Sequence, residues 1–393
     1  MNLEMKLAQT DQEKNKIYNL RYSIYVEELG LVPEFANHAE KTLKEPADKY
    51  AHNIYAEIDG HMVGAMRLNS KKEGPLEHEK LYDLYKFKPY FPDGVGMATK
   101  CVIAKQNRGS FVTKELFRFA YDYIRKNNLC NFIFIDCWPH LINLYEHLGF
   151  RQYKTCINHP EAGYMTPMVL VVEDITHLER VGAPMYDIAK KYENPEPLRQ
   201  FFYRHFEEYA KRPARILLSN EELFDILTTK LSGALDSLNL FKTLTKEEIQ
   251  QVTAMGNILT CKEGDRIIAF GEVRNEIYTL LSGMVKVVLN NDGAQKVLTT
   301  FGRGETFGEL AFLAKTARTA DVIAVEDCEV LVFDSNTLNK LLSSIPAVAA
   351  KIYRNMAEIV ALRMVAMQQQ TDSLRAGYER KIPVLSRRGP HES

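Results

Sequence analysis

Residues 301–320 read FGRGETFGELAFLAKTARTA, and the rest of the chain is best read outward from them. Gly302 and Gly304 mark a turn that leads into Phe307-Gly308-Glu309-Leu310-Ala311, and a short gap separates that run from Arg318-Thr319-Ala320. Residue types in this order suit an anion. Gly308 has no side chain, so backbone N–H groups can approach a ligand, and a short helix starting there points its positive end at a phosphate. Arg318 supplies a fixed charge, Thr319 a hydroxyl beside it, and Glu309 an acceptor for a sugar hydroxyl. Taken singly, these residues are ordinary surface chemistry: a glycine turn and a solvated arginine. Their order and spacing carry the reading.

F-G-E, two apolar residues, a short loop and R-T-A together resemble the phosphate-binding cassette of cyclic nucleotide-binding domains. The surroundings agree. Residues 258–331 hold short apolar segments broken by Gly264, Gly271, Gly283, Gly293, Gly302 and Gly304, a spacing that suits a small antiparallel roll. LFKTLTKEEIQQVTAM before it reads as a helix, and residues 336–370 as one long helix, a lid or a homodimer contact. The tail from Ser373, with Gly377, Pro383, Gly389 and Pro390, is basic and predicted to be disordered. The effector that the resemblance implies is cyclic AMP or cyclic GMP. Thr319 permits guanine without demanding it, so cyclic AMP is expected, with the base read from the lid by Arg363, Gln368, Gln369 or Gln370.

A chain of 393 residues exceeds one core, which argues for two domains and connecting helices. Hydrophobic residues at 46% and charged residues at 26% are those of a globular protein, and the formal net charge of −1 gives no basic excess for nucleic acid. The first residues are polar and no apolar run spans a bilayer, so the expected compartment is the cytoplasm. Cysteines 101, 130, 137, 156, 261 and 328 are scattered without C-x-x-C pairs, and the ten histidines lack ligand spacing. Free thiols and no metal are expected.

Toward the N-terminus, residues 13–29 place Ile17, Leu20, Ile24 and Tyr25 on one helical face. Residues 31–50, with Pro33 and Pro46, read as irregular, and residues 51–68 as a hairpin turning at Asp59-Gly60. A helix is predicted over 76–85, a strand through CVIA, a long helix over 111–127, the strand NFIFIDC, and a helix stopping at Gly149. RQYKTCIN and TPMVLVVED complete an α+β unit of about six or seven strands. The expected domains are 1–178, a helical linker 179–238, the roll with its lid helix at 239–372, and the tail 373–393.

Strand, Arg108-Gly109, long helix, strand, then Asn143-x-Tyr145-x-x-Leu-Gly-Phe is similar to the order found in the GNAT acyltransferase superfamily. That resemblance implies a mixed sheet with flanking helices, in which two neighbouring strands splay apart around the arm of an acyl thioester, acyl-CoA or acyl carrier protein. It assigns the thioester to Val102, Ile103, Ala104, Arg108, Gly109 and Asn143, with backbone N–H groups of 102–104 on the oxyanion. Tyr145 would protonate the leaving thiolate. RGSFVT lacks the later glycines of the usual turn. Leu20 to Gly30, Asp48-Lys49-Tyr50 and Gly64-Ala65-Met66-Arg67-Leu68 are similar to the acyl-homoserine lactone and N-acyl amino acid synthases, which aligns Arg21, Asp48 and Arg67 with those families' substrate-side residues. A buried ion-pair network explains the same three residues equally well. Met97-Ala98-Thr99-Lys100 stands where the lactone synthases have E-x-S-R, so lactone synthesis is not expected. Glu146 and His147 should point away from Tyr145's face.

The sequence thus reads as an N-acyltransferase regulated by a cyclic nucleotide, its acceptor an amine of an amino acid or a protein lysine. The competing reading is a catalytically silent scaffold that senses nucleotide for a partner. A transcription regulator is disfavoured, because residues 373–393 leave no room for a helix-turn-helix.

Overall fold

The computed structural model describes residues 2–230, 238–291 and 294–379. Thr10 starts helix α1 (Asp11–Tyr22) with a reciprocal cap: its side chain accepts the N–H of Glu13, and Glu13 reaches back to the N–H of Thr10. The helix continues as a π-helical turn over Ser23–Glu28. Strands β1 (Leu3–Leu7), β2 (Ala51–Ile58), β3 (His61–Ser70), β4 (Val95–Ile103), β5 (Phe132–Cys137), β6 (Arg151–Gln152), β7 (Ile157–His159) and β8 (Gly163–Val171) build one sheet. Their order is β1-β2-β3-β4-β5-β8-β6, with β7 on β8. The β4–β5 pair is parallel and the others antiparallel, which makes the sheet mixed.

Strand periodicity decides which helix each side chain meets. Ile54 and Ala56 join the core under α2 (Val112–Asn127), while Tyr55 between them packs with Ala65, Val102 and Ile17 of α1. The β2–β3 turn forms at Asp59 and Gly60, both left-handed (φ 48° and 80°). Residues 31–50 are more ordered than expected: a hairpin pairs Ala36–Asn37 with Thr42–Leu43, and a 3-10 turn covers Pro46–Tyr50. The helix expected over 76–85 is replaced by turns and a 3-10 helix at Leu84–Tyr90, since Asp83 is left-handed and Pro89 has no N–H to continue an α-helical ladder.

Phe87 of that 3-10 helix explains a second departure. Its ring meets Phe132 and Phe134 of β5 (5.1 and 4.7 Å) and also Phe201 and Phe206 (5.7 and 4.9 Å). Helices α6 (Pro197–His205) and α7 (Glu207–Lys211), expected in a linker, therefore belong to the core of the first sheet, whereas Phe224 and Leu227 of α8 (Asn220–Lys230) belong to the second domain. Between these blocks and β8 lie the short α4 (Ile175–Arg180) and α5 (Tyr186–Ala189).

The second domain is a β-roll. Strands β9 (Asn257–Cys261), β10 (Arg266–Ile268), β11 (Glu276–Ser282), β12 (Val285–Asn291), β13 (Ala294–Phe301), β14 (Thr306–Phe307), β15 (Asp321–Ala324) and β16 (Cys328–Asp334) form two four-stranded sheets, β9-β16-β11-β14 and β10-β15-β12-β13. Helix α9 (Lys246–Thr253) precedes it, α10 (Glu309–Ala314) interrupts it, and α11 (Ser335–Ser344) and α12 (Pro346–Glu379) follow. The single helix expected over 336–370 is broken at Ile345 (φ −139°), because Pro346 cannot donate to the previous turn. The last helix runs past Gly377, which was expected in an irregular tail; Pro383, Gly389 and Pro390 lie outside the described residues.

The two domains share a continuous apolar cluster that includes Cys156 and Tyr164 on one side and Leu259, Cys261 and Cys328 on the other. Tyr164 Oη donates to Asp265 Oδ2 (2.9 Å) across the seam. All six cysteines are free thiols. No helix among the described residues is long and apolar enough to cross a membrane.

Candidate functional site

Register in the first sheet creates its cavity. Ala65 opposes Val102, but Arg67 opposes Thr99, so β4 carries an extra residue there, and Lys100 takes a left-handed conformation (φ 51°). On the other side of β4, parallel pairing with β5 stops at Met97–Phe134, although β4 continues to Ile103 and β5 to Cys137. The strands part as the resemblance to the acyltransferases implied. A cavity of about 1220 Å³ opens at the split, lined there by Thr99, Lys100, Cys101, Asp136, Trp138 and Tyr145.

Tyr145 stands on α3 (Ile142–His147), which follows a 3-10 turn at Pro139–Leu141. Its ring meets Phe117 and Phe150 edge-on (both 5.8 Å). Burial, helped by Cys101, Cys137 and Tyr25, raises its phenol well above the usual range, so it holds its proton. Burial likewise pushes the Cys101 thiol up to about 12, which excludes a thiolate nucleophile there at neutral pH. Glu146 points elsewhere, as helix geometry demands: its Oε2 accepts the N–H of Ile216 (3.2 Å), and burial pushes its carboxyl up to about 7.

The other thioester candidates lie off the cavity. Val102 is buried in the apolar cluster under α1, and the N–H of Ala104 is spent on Val63 O (2.9 Å), so that group is not free for an oxyanion. Ile103 is half-buried beside them. Arg108 grips Glu28 with both terminal nitrogens (2.5 and 2.7 Å) and donates from Nε to Ile103 O (3.1 Å). Gly109 is left-handed (φ 74°) with open space around it. Asn143 Oδ1 is buried without a hydrogen bond among the described residues.

Arg21, Asp48 and Arg67 do come together. Arg21 donates to both oxygens of Asp48 (2.8 and 3.0 Å) and to Asn53 Oδ1 (2.6 Å). Arg67 bonds Thr99 Oγ1 (2.9 Å), Glu45 Oε2 (2.7 Å) and Glu77. Glu45 in turn holds Lys100 (2.6 Å) at the extra residue of β4. Burial pushes the Asp48 carboxyl up, but Arg21 and Arg67 more than offset it and leave it below its ordinary value; Lys100 and Arg67 do the same for Glu45. The network is structural in its pairing, yet Glu45, Asp48, Glu77 and Lys100 all line the cavity. Sequence reading missed Glu45 and Glu77, which carry no motif. It also missed His159, whose Nδ1 accepts the N–H groups of Glu161 and Ala162 (both 3.2 Å), so the neutral ring carries its proton on Nε2. Burial holds this imidazole below its ordinary value.

In the roll, Phe307 is buried and its ring stacks on Tyr278 (5.2 Å). Gly308, left-handed (φ 85°), caps α10, with Glu309 and Ala311 buried and Leu310 exposed. Arg318 is buried; it donates from Nη1 to Gly308 O (2.8 Å) and from Nη2 to Glu276 O (2.7 Å). Thr319 is exposed and Ala320 half-buried. Arg363, expected to read a base, instead binds Glu309 Oε1 (2.7 Å) and Thr306 O (2.5 Å) and lies over the Phe301 ring (4.2 Å). Helix α12 is thereby latched to the cassette.

With this geometry in place, two family matches divide the chain. Residues 16–173 match the N-acyl amino acid synthase FeeM family and residues 258–344 the cyclic nucleotide-binding domain. The chain thus carries a segment similar to N-acyl amino acid synthases ahead of one similar to cyclic nucleotide-binding domains. Among curated relatives it is 33% identical over 181 residues to the mouse (Mus musculus) cyclic nucleotide-gated channel beta-3, covering 43% of this chain and 26% of that one. It is 35% identical over 203 residues to Glutaminase 2 of Bradyrhizobium diazoefficiens, covering 51% and 31%. A solved structure of the Thermus thermophilus catabolite activator protein is 27% identical, with a TM-score of 0.32, over 35% of this chain and 63% of that one. The chain thus spans 26% and 31% of the lengths of those two curated relatives. The split sheet and its cavity lie in the first matched segment, and the Gly308–Arg318 turn in the second.

Proposed function

We propose that the chain transfers an acyl group from a thioester, acyl-CoA or acyl carrier protein, to the amine of an amino acid, and that cyclic AMP bound in the roll controls this transfer. The observation that carries the proposal is the end of β4–β5 pairing at Met97–Phe134, which opens the sheet onto Tyr145. The thioester enters this split. A bulge leaves its extra residue outside the ladder, so backbone N–H groups at Lys100 and Cys101, rather than at 102–104, serve the oxyanion. Collapse of the tetrahedral adduct expels a thiolate that takes the proton of Tyr145. The amine gives up one proton as the amide forms, so the phenol is restored within the cycle. His159 offers its Nε2–H to the carboxylate of an amino-acid acceptor, which favours that acceptor over a protein lysine. In the roll, Arg318, the Gly308 turn and Glu309 would hold the phosphate and ribose. Exposed Leu362 and Val365 on α12 support a homodimer through that helix.

Labelled acyl transfer from both donor classes to amino acids and to a lysine peptide tests the reading. Tyr145→Phe should lower kcat about 10²-fold or more with KM little changed, since the hydroxyl acts only as the thiolate leaves. Equal kcat in both proteins would remove Tyr145 from the chemistry, and no product with any donor or acceptor would make the domain a silent scaffold.

A further inference from the structure

The seam between the domains passes through both sites. Trp138 and Leu141 line the acyl-transfer cavity, and Pro139 and His140 between them face the roll. Asn257 Nδ2 donates to Pro139 O (3.0 Å), and the Arg274 guanidinium lies over the Trp138 ring (5.4 Å). Beyond them stands Glu276, buried at the start of β11. Its Oε1 is 3.6 Å from His140 Nδ1, and its Oε2 is 3.5 Å from Arg318 Nη2. One carboxylate is shared, at a distance too long for a strong bond to either, between the phosphate-binding arginine and the turn that leads into the Tyr145 helix. His140 Nδ1 and Arg318 Nε are both buried without a hydrogen bond among the described residues.

We infer that Glu276 is the joint through which a phosphate on Arg318 reaches the acyl-transfer cavity, by way of His140. The inference rests on the functional reading above and gives its regulation a route. Arg318 is spent on protein oxygens, the Gly308 and Glu276 carbonyls and the Glu276 carboxylate. A cyclic phosphodiester competes for the same guanidinium as a charge-assisted acceptor. A buried carboxylate that loses one cation must draw closer to the hydrogen-bond donors that remain, because unpaired it has no water to compensate it. His140 Nδ1, 3.6 Å away and buried without another hydrogen bond among the described residues, is such a donor, and it stands between two residues of the cavity wall. Nucleotide therefore tightens the Glu276–His140 pair and moves the Trp138–Leu141 turn, and with it the base of α3. The route does not need the C-terminal helix. The coupling exists only if the phosphate binds the two arrangements of Glu276 with different free energy, which the competition for Arg318 supplies.

Trp138 is the only tryptophan of the chain, so its emission reports on this turn directly. The test titrates cyclic AMP into the full chain, with calorimetry for affinity and Trp138 emission for the turn, in the wild type, His140→Gln and Glu276→Gln. Expected results are an emission change on saturation in the wild type and its loss in His140→Gln, whose affinity falls roughly fivefold, since a pair that tightens on binding must by reciprocity favour binding. Glu276→Gln should bind cyclic AMP roughly three- to tenfold tighter, since the competing carboxylate is gone. A merely structural Glu276 would weaken binding instead. An unaltered emission response in His140→Gln, or weaker binding by Glu276→Gln, would overturn the inference while leaving the functional reading intact. Absence of nucleotide binding to the wild type by calorimetry would overturn that reading, and the inference with it.

Discussion

Gly308→Ala probes the cassette at its tightest point. Gly308 sits at φ +85°, and a Cβ placed on it would lie 2.9 Å from Arg318 Nη1, 3.1 Å from Glu276 O and 3.3 Å from Ile268 Cδ1. The left-handed conformation alone costs an L-residue about 1–2 kcal/mol. Contact with the carbonyl of Glu276, a backbone atom within a strand, cannot be relieved by rotation, so the loop must shift and the Arg318 fork must open. Loss of that alignment weakens the charge-assisted contact with a phosphate by about 2 kcal/mol, roughly thirtyfold in affinity. Gly302 is the internal control: only Glu305 Oε2, at 4.0 Å, comes near its Cβ position, and it has no left-handed φ. Gly302→Ala should therefore bind like the wild type. Calorimetry with cyclic AMP, paired with urea unfolding to confirm that both variants are folded, measures the two effects. Wild-type affinity in Gly308→Ala, or an equal loss in Gly302→Ala, would refute the steric argument and the placement of the phosphate at this turn.

Three further outcomes follow from the geometry. Arg67→Met should destabilise the chain by about 3 kcal/mol, the low end for a broken buried pair because Glu45 keeps Lys100 while losing Arg67, and adding Glu45→Gln should recover part of that loss in urea unfolding. His177 is held neutral: burial, then Arg151 and Arg180, lower its imidazole from 6.5 to about 2. The unfolded chain thus binds a proton below about pH 6.5 that the folded one refuses, so this residue removes about 1.4 kcal/mol of stability per pH unit as pH falls, and His177→Gln should flatten the limb between pH 6.5 and 5. Thr319→Ala should weaken cyclic GMP by about 1–2 kcal/mol and cyclic AMP little if the hydroxyl meets the guanine amino group; equal losses in paired titrations would confine Thr319 to the phosphate.

Features that depend on a few neighbouring residues were legible without coordinates. Asp59-Gly60 can adopt the left-handed pair a tight hairpin needs wherever the hairpin lies, and Gly308 before a short helix, with an arginine ten residues on, keeps its meaning in isolation. From the 51–68 hairpin to TPMVLVVED, the order of strands and helices was legible for the same reason, the 76–85 helix excepted, since period and turn chemistry are local. Local rules failed where long-range contact overrode them. Nothing in CVIA says that β4 gains a residue at Lys100, or that the Ala104 N–H is taken by Val63, because register is settled by the partner strand. Glu45 and Glu77 have no meaning until the fold brings Arg67 between them, 22 and 10 residues away. Helices α6 and α7 read as a linker because their aromatic faces match no neighbour in sequence; Phe87, more than 100 residues earlier, supplies the surface they cover. The meeting of His140 with Glu276 is the extreme case. Each is an unremarked polar residue within its own domain, and only the packing of the two domains places one carboxylate between the arginine of one site and the turn that shapes the other.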